Sequence, residues 1–315
     1  MDVLVKIIFG VQVLFIIYFC VSAVYYLLFA IAGLYNKLYE PAAQRKKKSF
    51  CILIPGYKED IVIVSVAKDA LKQAYPAGKY DVYVIADSFK AETIKELNEI
   101  PVNVIEVSFA VSTKAKAINK ALEIIDKPYD AVVILDADNL MDPNFLKKMN
   151  NGLQTGAMAI QAHRMAKNLD TSFSVLDAIS EEVNNHIFRR GHRALGLSSA
   201  LIGSGMVFKF DLYKRLMSQI DSHAEDKELE IRLFTEGYKI EFYDKTFVLD
   251  EKVSKSDVFL KQRSRWIANQ LYYARHYFFT ALRELFRGNI DFFDKIFQYM
   301  LPPGSFCWEV FTSSF

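Results

Sequence analysis

Over residues 7–35 the chain reads IIFGVQVLFIIYFCVSAVYYLLFAIAGLY, with no charged side chain in the run. About 20 apolar residues suffice for a helix to cross a bilayer core, so the pattern predicts a transmembrane helix over residues 3–35. A secretory signal peptide is the competing reading, because Ala30-Ile31-Ala32 has the small-x-small form of a cleavage site. Such peptides carry apolar regions of about 7 to 15 residues behind a basic start. Only Lys6 precedes this longer run, and an anchor is the expectation. Residues 36–48 form a basic linker containing Lys37, Arg45, Lys46, Lys47 and Lys48. The positive-inside bias puts everything after Tyr35 in the cytosol. The expected location is therefore the plasma (inner) membrane, with membrane lipids as partners.

From Ser49 the pattern changes. Short apolar runs at residues 50–54, 80–86, 102–107 and 131–135 alternate with helical stretches at residues 61–72 and 115–125. Strands that are apolar on both faces and alternate with helices imply a largely parallel sheet covered by helices, an α/β class. Asp142-Pro143 offers an N-cap and a first-turn proline to the helix after the fourth strand. Beyond about Tyr243 the alternation stops, and residues 251–300 are aromatic-rich and interleaved with basic side chains. These read as helices lying in the membrane interface or as ordinary helices packed on the domain. Residues 301–315 form an apolar tail broken by Pro302, Pro303, Gly304 and Glu309, too interrupted for a second span.

Composition narrows this picture only a little. A chain of 315 residues allows one large or two ordinary domains, and a net charge of +2 gives no reason to expect a nucleic-acid partner. Cys20, Cys51 and Cys307 are far apart and form no C-x-x-C pair, so no disulfide framework is expected.

The candidate chemistry begins at AVVILDADNLMDPNF, where a buried strand runs into Asp136 and Asp138. In open parallel sheets ligands bind beyond the carboxyl ends of the strands. Alternate residues of an extended segment point the same way, so the two carboxylates are expected to face one point. Their repulsion would raise one pKa unless a cation sat between them. A hard divalent ion, Mg²⁺ or Mn²⁺, suits two carboxylates plus phosphate oxygens and water. An isolated D-x-D is otherwise an ordinary turn.

Other motifs accompany it in order: CILIPGYKED with VIADSF, then STKAKAINKAL, then LIGSGMVFKFDLY with AEDKELEIRLFTEGYKI, then KQRSRW. In this set the chain resembles the family 2 glycosyltransferases over residues 49–266, specifically the membrane-bound processive type that includes cellulose, chitin and hyaluronan synthases. The resemblance implies a GT-A-type nucleotide-sugar-binding domain over residues 49–250, with the Q-x-x-R-W motif in the helices that follow. It implies donor contacts from Pro55, Tyr57, Glu59, Asp87, Lys114 and Asp136, metal ligation by Asp136 and Asp138, and acceptor contacts from Gly205, Glu225, Gln262 and Trp266. Catalysis would fall to Asp226 as general base, Asp138 through the ion, and Arg265 beside the leaving diphosphate. A dehydrogenase would instead carry G-x-G-x-x-G after the first strand, where only Gly56 stands.

Gln262, Arg265 and Trp266 lie at i, i+3 and i+4, one face of a helix. There an amide can bond hydroxyls, a guanidinium can bind phosphate, and an indole can underlie a sugar ring. A base opposite the leaving group implies inversion, from an α-linked UDP-sugar to a β-linked product on a saccharide or lipid-linked acceptor. Processive members carry further transmembrane helices after Q-x-x-R-W, so the expectation is a missing or truncated C-terminal region, or a membrane partner that supplies the channel. Transfer of a single sugar to a lipid carrier, and an inactive scaffold of the same fold, are the competing readings.

Overall fold

The computed structural model describes residues 2–35 and 41–302. Residues 36–40 of the linker, with Lys37, and residues 303–315 of the tail lie outside the described residues.

The chain begins with helix α1 (Asp2–Tyr35). It is long and apolar enough to cross a membrane by length and composition, and little of it is buried against the rest of the protein. Then follow β1 (Phe50–Tyr57), α2 (Ile63–Ala70), β2 (Tyr80–Asp87), α3 (Ala91–Asn98), β3 (Asn103–Val107), α4 (Lys114–Ile124) and β4 (Ala131–Ile134). Every strand expected from the apolar runs is present, within a few residues of its expected bounds; β1 and β4 are buried on both faces, whereas β3, at the sheet edge, buries only Ile105. Cys51 and Leu53 of β1 enter one core layer, and Phe50, Ile52 and Ile54 enter the other. Leu53 is fully buried, and a Leu→Ala truncation at such a site typically costs about 2–5 kcal/mol.

The chain continues through β5 (Leu140–Met141), α5 (Phe145–Gln154), β6 (Ala159–Ala166), α6 (Ser172–Asn184), a π-helical stretch Asn185–Gly191, and α7 (His192–Ala194). It ends with β7 (Met206–Lys209), α8 (Phe210–Met217), α9 (Glu225–Thr235), β8 (Ile240–Asp250), α10 (Ser256–Phe286) and α11 (Ile290–Met300). The eight strands form one sheet in the order β3-β2-β1-β4-β7-β6-β8-β5. The β3-β2-β1-β4 half is parallel throughout. β7 then runs antiparallel between β4 and β6, while β8 runs parallel to β6. The sheet is mostly parallel, as expected, but its second half was not legible in the apolar pattern.

Two local expectations need correction. Asp142 does not cap α5: its Oδ1 accepts the Asn144 N–H at 2.8 Å and its Oδ2 pairs with Lys148 at 2.6 Å, so the helix opens at Phe145. Asp142 closes the preceding turn, where its carboxylate meets a cation. The alternation also does not stop at Tyr243, since β8 continues to Asp250.

α1 is seated on the domain along one face. Phe29 stacks on His192 with centroids 3.7 Å apart, and the Tyr25 hydroxyl bonds His192 Nε2 at 2.9 Å and donates to Asp294 Oδ1 at 2.7 Å. Gly191 is required here, because a Cβ on it would lie 2.2 Å from the Phe29 carbonyl oxygen. The outward positions Val21, Val24, Leu27, Leu28 and Ile31 stay exposed.

Candidate functional site

The site forms where β1 and β4 end. Asp136 and Asp138 follow β4 and line one cavity of about 340 Å³ with Pro55, Tyr57 and Glu59 from the end of β1 and Gln262 and Trp266 from α10. The D-x-D segment is fastened by Ser204, whose hydroxyl accepts the Asp136 N–H at 3.0 Å. With its amide NH₂ turned to the carboxylates, Asn139 donates to Asp138 at 2.6 Å and to Asp250 at 3.0 Å, and accepts from Ser204 at 2.8 Å. Burial pushes the Asp138 carboxyl up to about 6, and Asp250, Asp136 and Glu59 add to the shift by repulsion. The Lys58 and Ser88 backbones at the adjoining strand ends have φ of 56° and 59°, a conformation uncommon for side chains with a Cβ.

Lys114 opens α4 behind its N-cap Thr113 and reaches into the middle of the site. Its ammonium lies 2.5 Å from Asp136 Oδ1, 2.7 Å from the Gly203 carbonyl and 3.5 Å from Glu225. Burial alone would lower its pKa, but Asp136 and Glu225 outweigh that and raise it. The charge expected to face donor phosphates is thus already neutralised, and Lys114 ties the D-x-D turn to the first turn of α9. Burial raises the Glu225 carboxyl, with Asp226 adding to the rise against the pull of Lys114. Asp226 accepts the Lys227 N–H at 2.8 Å through Oδ1, and its Oδ2 faces Gly203.

A second cavity, of about 560 Å³, holds Lys114, Gly203, Glu225 and Asp226 together with Gln262, Arg265 and Trp266. Asp136, Arg164, Gln262 and Trp266 line both cavities, which makes them one cleft. Gln262 Oε1 is buried in it with no hydrogen-bond partner among the described residues. Such an orphan costs about 1–3 kcal/mol, a cost that a ligand hydroxyl would relieve. One face of the Trp266 indole is covered by the Arg263 guanidinium, 4.7 Å from the ring centroid, and Arg263 is held by Asp177 at 2.7 Å. Arg265 is exposed at the cleft and has no acidic partner within ion-pair distance among the described residues.

Two expected contacts lie elsewhere. Gly205 does not line the cleft: it sits in the sheet, its N–H bonded to the Ile134 carbonyl, and a Cβ on it would lie 2.9 Å from Val248. Gly203 is the glycine of that loop that faces Asp226. Asp87 is buried at the end of β2, bonded by the Ser88 hydroxyl at 2.9 Å, and lines neither cavity.

Sequence reasoning missed Asp250, Arg164 and the acids and bases behind them. Arg164 from β6 donates to Glu181 at 2.5 Å and lies 3.7 Å from Asp250, and Lys252 bonds Asp250 at 2.8 Å. Burial alone would raise Glu181, but Arg164, Arg189 and Lys252 hold it well below the usual carboxylate range. The available signal was a run of polar side chains, Gln161, His163 and Arg164, inside a strand whose other residues are apolar.

The acid-rich cavity at the strand ends fits a divalent cation. Glu59, Asp136, Asp138, Asp177, Asp250 and Glu251 line it against one guanidinium, Arg164, so a diphosphate would meet net repulsion without a counter-ion. Among the described residues no group of three or more His, Cys, Asp or Glu converges on one ion-sized point. Asp138 and Asp136 would hold such an ion and leave positions for phosphate oxygens and water, the habit of Mg²⁺ and Mn²⁺.

Comparison with known proteins agrees with this architecture. The family described as "Glycosyltransferase like family 2" matches residues 48–269. This chain belongs to that family. It is 25% identical over 268 residues to "Probable glycosyltransferase YdaM" of Bacillus subtilis, covering 79% of this chain and 62% of that protein. It is 24% identical over 237 residues to a beta-monoglucosyldiacylglycerol synthase of Nostoc sp., covering 72% and 50%. The chain thus spans about half to three fifths of the length of these curated relatives. Among solved structures, a mannosyltransferase from Pyrobaculum calidifontis in complex with GDP-Man and Mn²⁺ superposes with a TM-score of 0.62 at 19% identity, over 86% of this chain and 74% of that one. That likeness identifies the fold as GT-A-like. The matches are to the broad family and do not distinguish the narrower processive type expected from the motifs.

Proposed function

We propose that this family 2 glycosyltransferase moves the sugar of a UDP-sugar, with inversion at the anomeric carbon, onto an acceptor hydroxyl at the cytosolic face of the plasma (inner) membrane, giving a β-linked saccharide or glycoconjugate. The observation that carries the reading is the single cleft, acid-rich beside the strand ends and bounded on its far side by Asp226, with Gln262 and Trp266 shared between the halves.

Pro55, Tyr57 and Glu59 border the donor nucleotide, and Arg265, exposed at the cleft, offers a cation to the charge that grows on the leaving diphosphate. Mg²⁺ or Mn²⁺ on Asp138 and Asp136, when bound, supplies Lewis-acid neutralisation of that diphosphate. Lys114 keeps the Asp136 carboxylate in place and ties it to Glu225, the neighbour of Asp226. Asp226 takes the proton of the acceptor hydroxyl, a role for which its Oδ2 is left facing the cleft over Gly203. Gln262 Oε1 accepts from a sugar hydroxyl and Trp266 supports the ring. The Mn²⁺ complex of the mannosyltransferase neighbour supports a divalent requirement. That neighbour holds GDP-Man, so the choice of UDP rests on the motif resemblance.

The test is UDP release by the full chain in membranes, with a panel of UDP-sugars and with or without Mn²⁺ or Mg²⁺. Metal-dependent release with at least one donor is expected. No release with any donor would favour an inactive scaffold of the same fold.

A further inference from the structure

Building on that reading, we infer that the acceptor is a membrane lipid bearing a free hydroxyl, which enters the cleft from the bilayer beside α1. The acceptor half of the cleft does not end in the cytosolic domain: its wall continues to Phe188 of the π-helical stretch, Pro302, and Tyr26 of α1 itself. Tyr26 meets Phe188 edge to face at 5.9 Å, and its hydroxyl bonds the Pro302 carbonyl.

The position of that wall along the helix points to the class of acceptor. At 1.5 Å per residue, Tyr26 stands about 13 Å inside the Tyr35 end of α1, within the uncharged run. α1 offers about 50 Å of apolar helix against a hydrocarbon core of about 30 Å, so a cavity that reaches it there opens on the bilayer-facing side of the domain, where a lipid hydroxyl is presented. The domain is held at that level by the α1 seam of Tyr25, Phe29 and Gly191. On the other side of the π-helical stretch, a groove of about 620 Å³ between α6 and Ala30 of α1 is lined almost wholly by apolar side chains, among them Leu169, Val175 and Ile179. It continues the outward apolar face of α1, as a surface seated in lipid would.

In the step itself the lipid oxygen forms the new bond to the anomeric carbon as the bond from that carbon to the phosphate oxygen breaks. The electron pair leaves with UDP, and the hydroxyl proton goes to Asp226.

The experiment places the full chain in lipid nanodiscs with a labelled UDP-sugar found active by UDP release. It compares dioleoylglycerol or its monoglucosyl derivative in the bilayer with a soluble gluco-oligosaccharide. At least tenfold more label is expected in the organic phase than on the oligosaccharide. Tyr26→Trp and Phe188→Trp, which narrow the opening, are expected to raise the lipid KM at least fivefold with the donor KM within twofold. Retained UDP binding checks that each variant is folded. Equal labelling of the oligosaccharide, or an unchanged lipid KM in both variants, would overturn the inference while leaving the transferase reading intact. UDP release from no donor would remove both.

Discussion

The two halves of the cleft handle charge in opposite ways. Beside the strand ends, carboxylates accumulate against one guanidinium, and Asp138 is raised toward neutrality by burial and by its neighbours. Toward α1, the buried cations are matched inside the protein: Lys114 by Asp136 and Glu225, Arg189 by Glu181, Lys295 by Glu230 at 3.0 Å. The first half therefore favours a cation, whereas in the second the buried charges already satisfy one another. Removing one partner of a buried pair typically costs about 3–5 kcal/mol, so the matched half is stiff, while the acid-rich half completes itself on binding.

Asp226→Asn gives the largest expected break in this comparison. General bases typically contribute about 10²–10⁴ in rate, and a loss in that range is expected in transfer, with UDP binding measured by calorimetry nearly unchanged. Equal loss of both would put Asp226 on the donor side instead. Next, Asp138→Asn should abolish the metal dependence of UDP binding, whereas Asp136→Asn should weaken it less, because Asp136 already shares its charge with Lys114. The reverse order would mean that the ion is held chiefly by Asp136.

Lys114→Met should lower stability and kcat/KM together, since it leaves Asp136 and Glu225 facing each other. Asp136 is partly exposed, with 32% of its side chain accessible, so the stability loss is expected at or below the lower end of the buried-pair range. Lys114→Arg should recover part of it, and thermal melting of the two variants checks this.

The smallest effect is expected outside the cleft, at His163. Burial would lower its pKa, but its hydrogen bonds to the Asp244 and Glu182 carboxylates prevail and push it up to about 9. A raised folded-state value stabilises fully below the unfolded pKa, near 6.5, and that contribution is lost as pH rises through about 9. His163→Gln should therefore narrow the difference in melting temperature between pH 6 and pH 9.5, and an unchanged difference would show the pair to be inert.

Much of this was legible in the chain. The long apolar helix, the four parallel strands, the D-x-D turn after β4 and the Q-x-x-R-W face of α10 each rest on patterns within a short window, which local geometry converts directly into structure. Asp250 and Arg164 were not legible. Each reads alone as a charged residue near a strand end, and its meaning comes from partners remote in the chain: Asp138 and Asn139 for Asp250, Glu181 and Asp250 for Arg164. Gly205 misled for a related reason, since Gly-Ser-Gly suits ligand approach and tight strand packing equally, and only the position of Val248 separates the two.

The amino-acid order by itself determined where the chain is apolar enough to enter a bilayer, where buried strands end, and which acids and aromatic side chains stand at those ends. Periodicity and charge are local properties, and they survive without a fold. Only the tertiary structure decided that Lys114 serves the protein's own acids, that two cavities are one, and that Tyr26 of α1 lines the cavity that holds Asp226 and Trp266. Those facts depend on contacts between distant segments, and such contacts exist only once the sheet and its covering helices have brought the segments together.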